Sequence, residues 1–536
     1  MTLFSKSPQA IPSNLPNGGA LIEVMPLILI ILVGLGMRLF AAAYVSIINP
    51  DGTLYIHQAR ALWYGQWSEL TSCGVRYVSA YPLLIAGVHC IIKDWVLAAR
   101  SVSVIFGTLT LLPVYILLRR FLKSNVSILG ALAFALIPVL VTRSADVVRG
   151  PMAWFLGAVG LYLFVLHVDL FKRWHLPLSS LCYLIAAWCR IEFILFFFVS
   201  LLYLVLIEKE KKLENFLGFI GPCLIIILIL LFGLKFLNTS VGDAYRLQEM
   251  AHKFSNSITA YKDLKANLSI LMNQSMMTEI KLFLQRARHL VWFIALGTFF
   301  IYAMKAFFYP FFFIFLLGLP GIGRKIKKDR GLLYLTLISL FAFFLLYFHI
   351  LQTWVIGGRF LVLFMLPSFV ILGFGLDNMI RFLTGRLNWS SKVAFSIICI
   401  FLLGFGLPKN LKHRETDKVV FKEIGELIAQ REGNNEVIQV ASSLDILRWI
   451  SFYANLGYQG APCPQPYGDF KAIVGNSYKD FVQNLKKRRI KYFVWEEKHW
   501  PTGTFDFMRE MRLKDFQALG TWSHPDTGRM ILFKAT

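Results

Sequence analysis

Apolar segments about the length of a membrane-spanning helix recur along most of this chain, from about residue 21 to residue 407. A helix needs about 20 apolar residues to cross the hydrocarbon core of a bilayer, because each residue lengthens it by only about 1.5 Å. The composition agrees, since 57% of the residues are hydrophobic and 16% are charged, whereas soluble domains average about 25% charged residues. The sequence therefore predicts a mainly α-helical, polytopic membrane protein.

Clusters of lysine and arginine separate these segments and predict the direction of each crossing, because such clusters concentrate in cytoplasmic loops. The segment 177–207 lies between two basic clusters and carries Arg190 and Glu192 in its middle, so we expect two short helices there. A lysine and a proline inside the segment 290–322 predict an interfacial stretch followed by one span. The count is about eleven spans, with the amino terminus in the cytoplasm and the carboxyl terminus outside. The apolar segments are 21–48, 96–118, 126–142, 151–170, 177–207, 216–237, 290–322, 332–351, 360–380 and 391–407.

The crossings divide the chain into three parts, which are a cytoplasmic tail (1–20), a transmembrane domain (21–408) and an outer domain (409–536). The transmembrane domain carries two long outer loops, at 49–95 and 238–289, and the second of them is polar. In the outer domain the pattern changes to strands that alternate with amphipathic helices, which is typical of a small α/β domain. The expected strands are Glu436–Ala441, Ile490–Trp495 and Met530–Lys534, and the expected helices are Asp445–Ala454 and Tyr478–Arg488.

The basic balance of the chain points to the membrane rather than to nucleic acid. There are 55 lysines and arginines against 31 acidic residues, which is a formal net charge of +24. These cations cluster between the apolar segments, where they orient the spans. The sequence has neither zinc-finger spacing nor an aromatic RNA-binding motif, so we expect no nucleic-acid partner.

The first outer loop begins with Asp51, directly after the first span, and Pro50 and Gly52 favour a turn around it. Apolar residues that follow at helical spacing predict an amphipathic helix lying in the membrane interface. A carboxylate at the mouth of a helix bundle can act as a general base toward a hydroxyl acceptor. The alternative is that Asp51 caps the helix, which is a common role of aspartate. The same loop holds Cys73 and Cys90, which could form a disulfide if that side of the membrane is oxidising.

Six short motifs follow one another along the chain, each next to a predicted span. They are Asp51-Gly52-Thr53-Leu54-Tyr55, Tyr81-Pro82-Leu83-Leu84, Ala98–Leu109 with Leu112-Pro113-Val114-Tyr115, Arg143–Pro151, Cys189-Arg190-Ile191-Glu192, and Gly358-Arg359-Phe360-Leu361 with Pro367. Their order and sidedness resemble the membrane glycosyltransferases that use polyprenyl-phosphate sugars, the C-type superfamily. Within it, the likeness is closest to the family 39 group, which holds protein O-mannosyltransferases and lipid A aminoarabinose transferases. The resemblance covers nearly the whole chain and implies a C-type (GT-C) bundle with an extracytoplasmic α/β domain.

The resemblance implies a single displacement with inversion, in which an acceptor hydroxyl or amine attacks the anomeric carbon of a polyprenyl-phosphate-linked sugar. Asp51 matches the first-loop aspartate that is thought to act on the acceptor, so we expect it to be catalytic. The implied partners are the polyprenyl-phosphate-linked sugar donor, membrane lipids, and an acceptor that is a lipid, a glycan or a protein. The resemblance to bacterial members implies the inner membrane, with the outer domain in the periplasm.

Arginines are expected to bind the donor phosphate, because a guanidinium group matches phosphate oxygens in bidentate geometry. We expect Arg359, Arg76 and Arg190 in this role, and Arg359 matches the family's arginine at the outer end of a span. The alternative for each is an interfacial arginine that reaches lipid headgroups or pairs between helices. The residues expected to line the acceptor or donor cavity are Tyr55, Tyr81, Asp146, Arg149 and Glu192.

Three positions depart from the family pattern. Gly52 stands where several relatives have a second carboxylate, which leaves the need for a divalent metal open. No lysine precedes Tyr81-Pro82, where some relatives have one that is thought to contact the lipid phosphate. Gly150 stands where an acidic residue often precedes the proline.

Three other functions fit a similar architecture. A lipid-linked oligosaccharide ligase or polymerase would use a diphosphate donor, and a non-catalytic assembly protein would tolerate the loss of the Asp51 carboxylate. A lipid or sugar transporter would need a polar path through the bundle. Acidic residues inside the spans are few, Glu192 being the main one, and this favours chemistry at the outer face over transport. The loop 238–289 is expected to close over the bound lipid.

Overall fold

The computed structural model describes residues 20–75, 77–236, 245–275, 277–512 and 514–536. Contacts divide the chain into two compact units. The bundle unit contains the described part of Met1–Phe40 together with Ser103–Ser144 and Arg149–Lys412. The α/β unit contains Ala41–Val102, Ala145–Val148 and His413–Thr536. The first outer loop therefore groups with the C-terminal domain, whereas the sequence pattern grouped it with the spans.

The described chain is mostly helical. Up to residue 410 its helices are α1 (Ala20–Ala43), α2 (Pro50–Trp63), α3 (Ala80–His89), α4 (Trp95–Leu109), α5 (Leu111–Phe121), α6 (Ser124–Leu136), α7 (Pro138–Ser144), α8 (Gly150–Leu170), α9 (His175–Cys189), α10 (Ile194–Leu206), α11 (Lys212–Phe236), α12 (Tyr245–Gln274), α13 (Thr278–Phe307), α14 (Tyr309–Leu317), α15 (Ile322–Ile326), α16 (Arg330–Thr353), α17 (Gly358–Arg386) and α18 (Ser391–Asn410). The remainder forms α19 (Val419–Glu432), β1 (Val440–Ala441), α20 (Leu444–Ala454), α21 (Lys471–Val474), α22 (Tyr478–Lys487), β2 (Tyr492–Glu496), α23 (Phe507–Glu510), β3 (Phe516–His524) and β4 (Gly528–Ala535). Short 3₁₀ helices lie at Trp67–Leu70 and Ile191–Phe193.

Local sequence signals explain where several helices begin. Asp329 and Ser390 precede α16 and α18, and the side chain of each accepts a hydrogen bond from a backbone N–H of the first helical turn. These bonds satisfy donors that have no partner inside the helix. Proline lies in the first turn of both α2 and α8, where its missing N–H costs nothing and its fixed φ suits a helix.

The bundle unit has the span pattern that the hydropathy predicts. Eight helical stretches in the described part of the chain are long and apolar enough to cross a membrane, one of them made of α4 and α5 together (Trp95–Phe121). The pair α6 and α7, bent by 56°, makes a ninth candidate. The other two of the eleven predicted spans correspond to α9 and α10, which are shorter apolar helices. The break between them lies at Arg190–Phe193 and confirms the split that two charges in the segment 177–207 predicted.

The prediction for the segment 290–322 is wrong in its order. Helix α13 continues through Lys305 to Phe307, and the break comes at Phe308, which has φ 69°. Helix α14 follows with nine residues, too few to span a bilayer. The span therefore precedes the break, because a lysine near a helix end extends its ammonium along the helix. Pro310 lies in the first turn of α14, where it begins a helix rather than interrupting one.

The prediction of a polar loop at 238–289 is also wrong. Helix α12 and the first turns of α13 occupy the described part of this segment, and residues 237–244 lie outside it. The stretch 245–289 contains neither glycine nor proline, so nothing in its sequence breaks a helix. Hydropathy alone predicts a loop here, because it does not identify a helix that is mostly polar. The expectation that this segment closes over a lipid stays a prediction.

The C-terminal part of the α/β unit is built on a four-stranded sheet with the order β1-β2-β4-β3. Strands β1 and β2 are parallel, and β4 is antiparallel to both β2 and β3. Buried aromatic residues, among them Phe481, Phe493 and Phe533, form the core beneath it. The predicted α/β domain is confirmed, with β1 shorter than expected and with α19 and β3 as elements that the sequence pattern missed.

Helix α2 forms where the sequence predicts a helix, but it does not lie on a surface. All residues from Gly52 to Ala61 are buried within the α/β unit. The guanidinium of Arg60 donates to the carbonyl oxygens of Gly460 at 2.6 Å and Asn455 at 3.2 Å, and also to Tyr458. Burial lowers the pKa of Arg60 to about 10, which leaves it charged at neutral pH. The expectation that α2 is an amphipathic helix lying in the membrane interface is therefore wrong. Its polar side forms hydrogen bonds with backbone carbonyls of the protein.

Candidate active site

Asp51 lies in the first turn of α2 without being its cap. The cap is Asn49, whose side-chain oxygen accepts a hydrogen bond from the N–H of Asp51 at 3.0 Å. The Asp51 carboxylate is 35% exposed, and its Oδ1 lies 3.3 Å from the guanidinium of Arg448. The capping alternative is thus excluded by geometry, and the carboxylate is left for another role.

The carboxylate of Asp146 binds the backbone of the turn that precedes α2. Its carboxylate is buried and accepts hydrogen bonds from the N–H groups of Asn49 at 2.9 Å and Val147 at 2.7 Å. The sequence predicts that Asp146 lines a cavity. In the structure its carboxylate binds the backbone N–H of Asn49, two positions before Asp51. Sequence spacing could not show this contact, because the two segments are 97 positions apart.

Gly52 packs against the same segment, and this bears on metal binding. A Cβ at position 52 would lie 2.8 Å from the Cβ of Val147 and 2.9 Å from its carbonyl oxygen. There is therefore no room for a second carboxylate at this position. Over the described residues no group of three His, Cys, Asp or Glu side chains could hold a metal. The residues at Asp51 do not fit a metal site, and we derive no step through one.

Tyr55 and Tyr81 come together in the α/β unit. Their rings meet edge to face with centroids 5.7 Å apart, and both side chains are buried. The hydroxyl of Tyr81 donates to the carbonyl of Ala99 at 2.9 Å. Both residues are part of the buried core, and their expected contact with acceptor or donor stays a prediction.

The C-terminal domain contributes Arg448, a residue that sequence analysis missed. Its Nε donates to Oε1 of Gln465 at 2.7 Å. Gln465 follows Cys463, which forms a disulfide with Cys73. The expected pairing of Cys73 with Cys90 is therefore wrong, and Cys90 is an exposed free thiol. The two bonded cysteines are 390 positions apart, so no local spacing rule could have paired them.

Four of the predicted residues belong to the bundle unit and lie close together. Arg190 at the break between α9 and α10 is 5% exposed and forms an ion pair with Glu192. Its guanidinium carbon lies 4.7 Å from the centre of the Phe360 ring, and that of Arg359 lies 5.5 Å from the same ring. Arg149 and Arg359 are both close enough to act electrostatically on Arg190. Three guanidinium groups and one carboxylate therefore lie near one another in the bundle unit.

Gly150 and Trp154 complete this cluster. A Cβ at position 150 would lie 3.6 Å from a guanidinium nitrogen of Arg190, so an acidic residue here would fill space beside the arginines. The same Cβ would be 3.1 Å from the indole of Trp154, which is 1% exposed. The indole N–H of Trp154 makes no hydrogen bond with the described residues. A buried donor of this kind is normally satisfied by water or a ligand, and no motif had singled it out.

The predicted site residues thus fall into two groups. Asp51, Tyr55, Tyr81 and Asp146 belong to the α/β unit, whereas Arg149, Arg190, Glu192 and Arg359 belong to the bundle unit. Arg76, the remaining predicted phosphate ligand, lies outside the described residues.

Comparison with known proteins rests on structure alone. No protein-family model and no curated protein sequence matches this chain. The apo structure of ArnT from Cupriavidus metallidurans matches with a TM-score of 0.58 and 11% identity, over 95% of this chain and 97% of that one. The same protein bound to undecaprenyl phosphate matches with a TM-score of 0.53 and 11% identity, over 97% and 98% of the two chains. The oligosaccharyltransferase AglB from Archaeoglobus fulgidus, in complex with an inhibitory peptide and a dolichol-phosphate, matches with a TM-score of 0.52 and 11% identity, over 95% and 74%. The chain is therefore a polytopic membrane protein with the GT-C fold.

Proposed function

We propose that this protein is an inverting glycosyltransferase that moves a sugar from a polyprenyl-monophosphate carrier to a hydroxyl or amine acceptor at the outer face of the membrane. The observation that carries the proposal is the grouping of Arg149, Arg190 and Arg359 in the bundle unit. Arginines grouped around the buried guanidinium of Arg190 suit a phosphate group, because they place several charge-assisted hydrogen-bond donors close together. ArnT and AglB, which have the same fold, were each solved with a polyprenyl phosphate.

The charge of the cluster suits the chemistry of such a donor. A sugar linked through phosphate to a polyprenol is a phosphodiester with one negative charge, and the departing polyprenyl phosphate carries up to two. Cations held in place away from bulk water stabilise the charge that grows as the sugar–oxygen bond breaks. Arginine also offers paired N–H groups to two phosphate oxygens. The indole N–H of Trp154 is a further donor beside the cluster.

The proposed base is Asp51. In the reaction the acceptor oxygen or nitrogen bonds to the anomeric carbon, the bond from that carbon to the phosphate oxygen breaks, and the acceptor proton passes to the Asp51 carboxylate. Its partial exposure and its position in a turn held by Asn49 and Asp146 are suited to this role. One carboxylate suffices here, because no covalent sugar intermediate has to form and because polyprenyl phosphate leaves as a stable anion that needs no general acid.

We place the α/β unit on the periplasmic side of a bacterial inner membrane, with the amino terminus in the cytoplasm. The disulfide between Cys73 and Cys463 supports this, because disulfides persist in oxidising compartments and are rare in the cytosol. The basic clusters between the spans give the same orientation by the positive-inside rule.

Native mass spectrometry of the full-length protein in detergent tests the donor site. With undecaprenyl phosphate added, we expect the wild type to retain the lipid and Arg359→Ala to retain about 10-fold to 100-fold less, because a charge-assisted hydrogen bond contributes about 1.5–3 kcal/mol. Arg386→Ala is the matched control, since Arg386 is exposed at the other end of α17. A wild type that retains no lipid, or an Arg359→Ala variant that retains all of it, would contradict the proposal. A co-purified diphosphate-linked glycan would instead favour an oligosaccharide ligase or polymerase.

A further inference from the structure

Helix α20 of the C-terminal domain contacts the turn that carries Asp51 at two points. On one side of the turn, Nε1 of Trp449 donates to the carbonyl of Ile48 at 2.7 Å, and the hydroxyl of Tyr453 accepts from the N–H of Ile48 at 3.4 Å. On the other side, the guanidinium of Arg448 lies 3.3 Å from Oδ1 of Asp51. One helix therefore holds both the backbone before the turn and the carboxylate after it.

Arg448 is itself held in place from a second direction. Its Nε donates to Gln465 at 2.7 Å, and the N–H of Gln465 donates to the sulfur of Cys463 at 3.3 Å. Gly74, which has φ 71° and follows the disulfide partner Cys73, lies against the Gln465 amide. A series of contacts thus connects the disulfide to Gln465, Gln465 to Arg448, and Arg448 to Asp51. A long arginine side chain gains a defined orientation only when its head is fixed at more than one atom, as here.

We propose that Arg448 is a positioning residue for the Asp51 carboxylate, so that the C-terminal domain takes part in the reaction rather than being an appendage to it. This inference rests on the proposed function, in which Asp51 accepts the proton of the acceptor. General-base catalysis requires the base to lie within hydrogen-bond reach of that proton. A displacement of about 1 Å can lower a rate by about 100-fold.

A purely structural role of Arg448 would give a different experimental result from a positioning role. The pair is partly exposed, with 29% of the Arg448 side chain and 35% of the Asp51 side chain accessible, and exposed ion pairs contribute little to stability. Loss of Arg448 should therefore change the rate while leaving the melting temperature nearly constant. A residue that acts through Asp51 should also have no effect once the carboxylate is gone.

The experiment is a double-mutant cycle on the full-length protein in liposomes. The liposomes contain the total lipid extract of cells that lack this protein, which supplies both donor and acceptor, and mass spectrometry follows the conversion of sugar-linked polyprenyl phosphate to polyprenyl phosphate. The variants are Arg448→Met, Arg448→Lys, Asp51→Asn and the double variant Asp51→Asn with Arg448→Met. Arg431→Met is the control, since Arg431 is an exposed arginine of the same domain. Melting temperature and retention of undecaprenyl phosphate are measured on every variant.

We expect Arg448→Met to lower the maximal rate about 10-fold to 100-fold, with the melting temperature and the retained undecaprenyl phosphate as in the wild type. Arg448→Lys should recover part of the rate, and the double variant should be no slower than Asp51→Asn. The inference is overturned if Arg448→Met keeps the wild-type rate, if the two losses multiply, or if the loss follows a fall in melting temperature. Its failure is distinct from that of the proposed function, in which the wild type would not convert the sugar-linked lipid or Asp51→Asn would convert it at the wild-type rate.

Discussion

Gly52 limits the chemistry that the first loop can carry. Its Cα packs so closely on Val147 that even a methyl group would meet both the side chain and the carbonyl oxygen of that residue. A backbone atom cannot move aside as a flexible side chain can, so relief requires a shift of α2 or of the segment 145–148. The close packing at Gly52 therefore excludes a second carboxylate directly after Asp51.

We predict that Gly52→Ala lowers stability by about 1–3 kcal/mol, the usual cost of overpacking a buried position. It should also reduce sugar transfer, because the turn that carries Asp51 must move. Gly87→Ala is the matched control, since a Cβ at this position in α3 would meet no atom within 4 Å. Thermal unfolding of both variants in detergent measures the effect. Equal melting temperatures for Gly52→Ala and the wild type would show that the contact can relax.

Glu432 at the end of α19 is the most strongly shifted acid in the C-terminal domain. The hydroxyl of Tyr492 donates to it at 2.7 Å, and the ammonium groups of Lys534 and Lys491 lie at 2.9 and 3.2 Å. These hydrogen bonds lower the pKa of Glu432 from 4.5 to about 2. Because the folded-state pKa is depressed, the stabilisation is complete above pH 4.5 and is lost as the pH falls toward 2.

We predict that Glu432→Gln destabilises this domain by about 2–3 kcal/mol at pH 7, the order of magnitude that the shift implies. The difference from the wild type should shrink below pH 4.5 as the wild-type carboxylate is protonated. Hydrogen exchange of the amides in β2, measured in the intact protein at pH 7 and at pH 4, tests this. Glu426→Gln on the same helix should have little effect, because Glu426 forms only an exposed pair with Lys422. A pH-independent difference would show that Glu432 acts through packing alone.

At the scale of elements, α2 shows why hydrophobic periodicity can mislead. A helix with a polar stripe is expected to turn that stripe to water or to lipid headgroups. In α2 the stripe contains His57 and Arg60, whose ring and guanidinium nitrogens meet backbone carbonyls of the first loop and the C-terminal domain. Burial lowers the pKa of His57 below its usual value. The polar side of α2 therefore faces protein. Hydrophobic periodicity does not distinguish this arrangement from a polar side that faces solvent.

The disulfide is the covalent link between the first loop and the C-terminal domain. Because Cys73 and Cys463 are bonded and Cys90 is exposed, we predict that an alkylating reagent modifies Cys90 in the unreduced native protein and spares the other two. Peptide mass spectrometry before and after reduction measures this. Cys463→Ser should make Cys73, which is 2% exposed, open to alkylation after denaturation without a reductant. It should also lower the melting temperature, since loss of a native disulfide typically costs about 2–5 kcal/mol. Cys90→Ser is the control and should change neither. Alkylation of Cys463 without reduction would contradict the pairing.

At the scale of the whole molecule, the spans and the small α/β domain were predictable because their signals are local. Apolar runs, basic clusters and the two charges at Arg190 and Glu192 each act within a few turns of helix. The order of elements near Lys305 was not predictable in the same way. Whether a lysine ends a span depends on where its ammonium can reach, and that is set by the neighbouring helices.

The candidate site also contains residues that the sequence predicted and residues that it did not. Motif resemblance singled out Asp51, Arg190 and Arg359, and their catalytic and phosphate-binding roles stay predictions. Their partners were not visible in the sequence, because Arg448 lies 397 positions from Asp51 and Cys463 lies 390 positions from Cys73. Trp154 gave no signal either, since a buried tryptophan without a hydrogen-bond partner is defined only by what surrounds it.

Composition and charge along the chain were enough to establish a membrane bundle, its approximate crossings and a separate folded domain, because hydrophobic burial and membrane orientation depend on short stretches of sequence. Tertiary structure alone decided that the first loop folds with the C-terminal domain, that Asn49 rather than Asp51 caps α2, and that Arg448 meets the carboxylate. Those outcomes depend on which distant segments pack together and exclude water from one another, and the linear sequence does not show which segments do so.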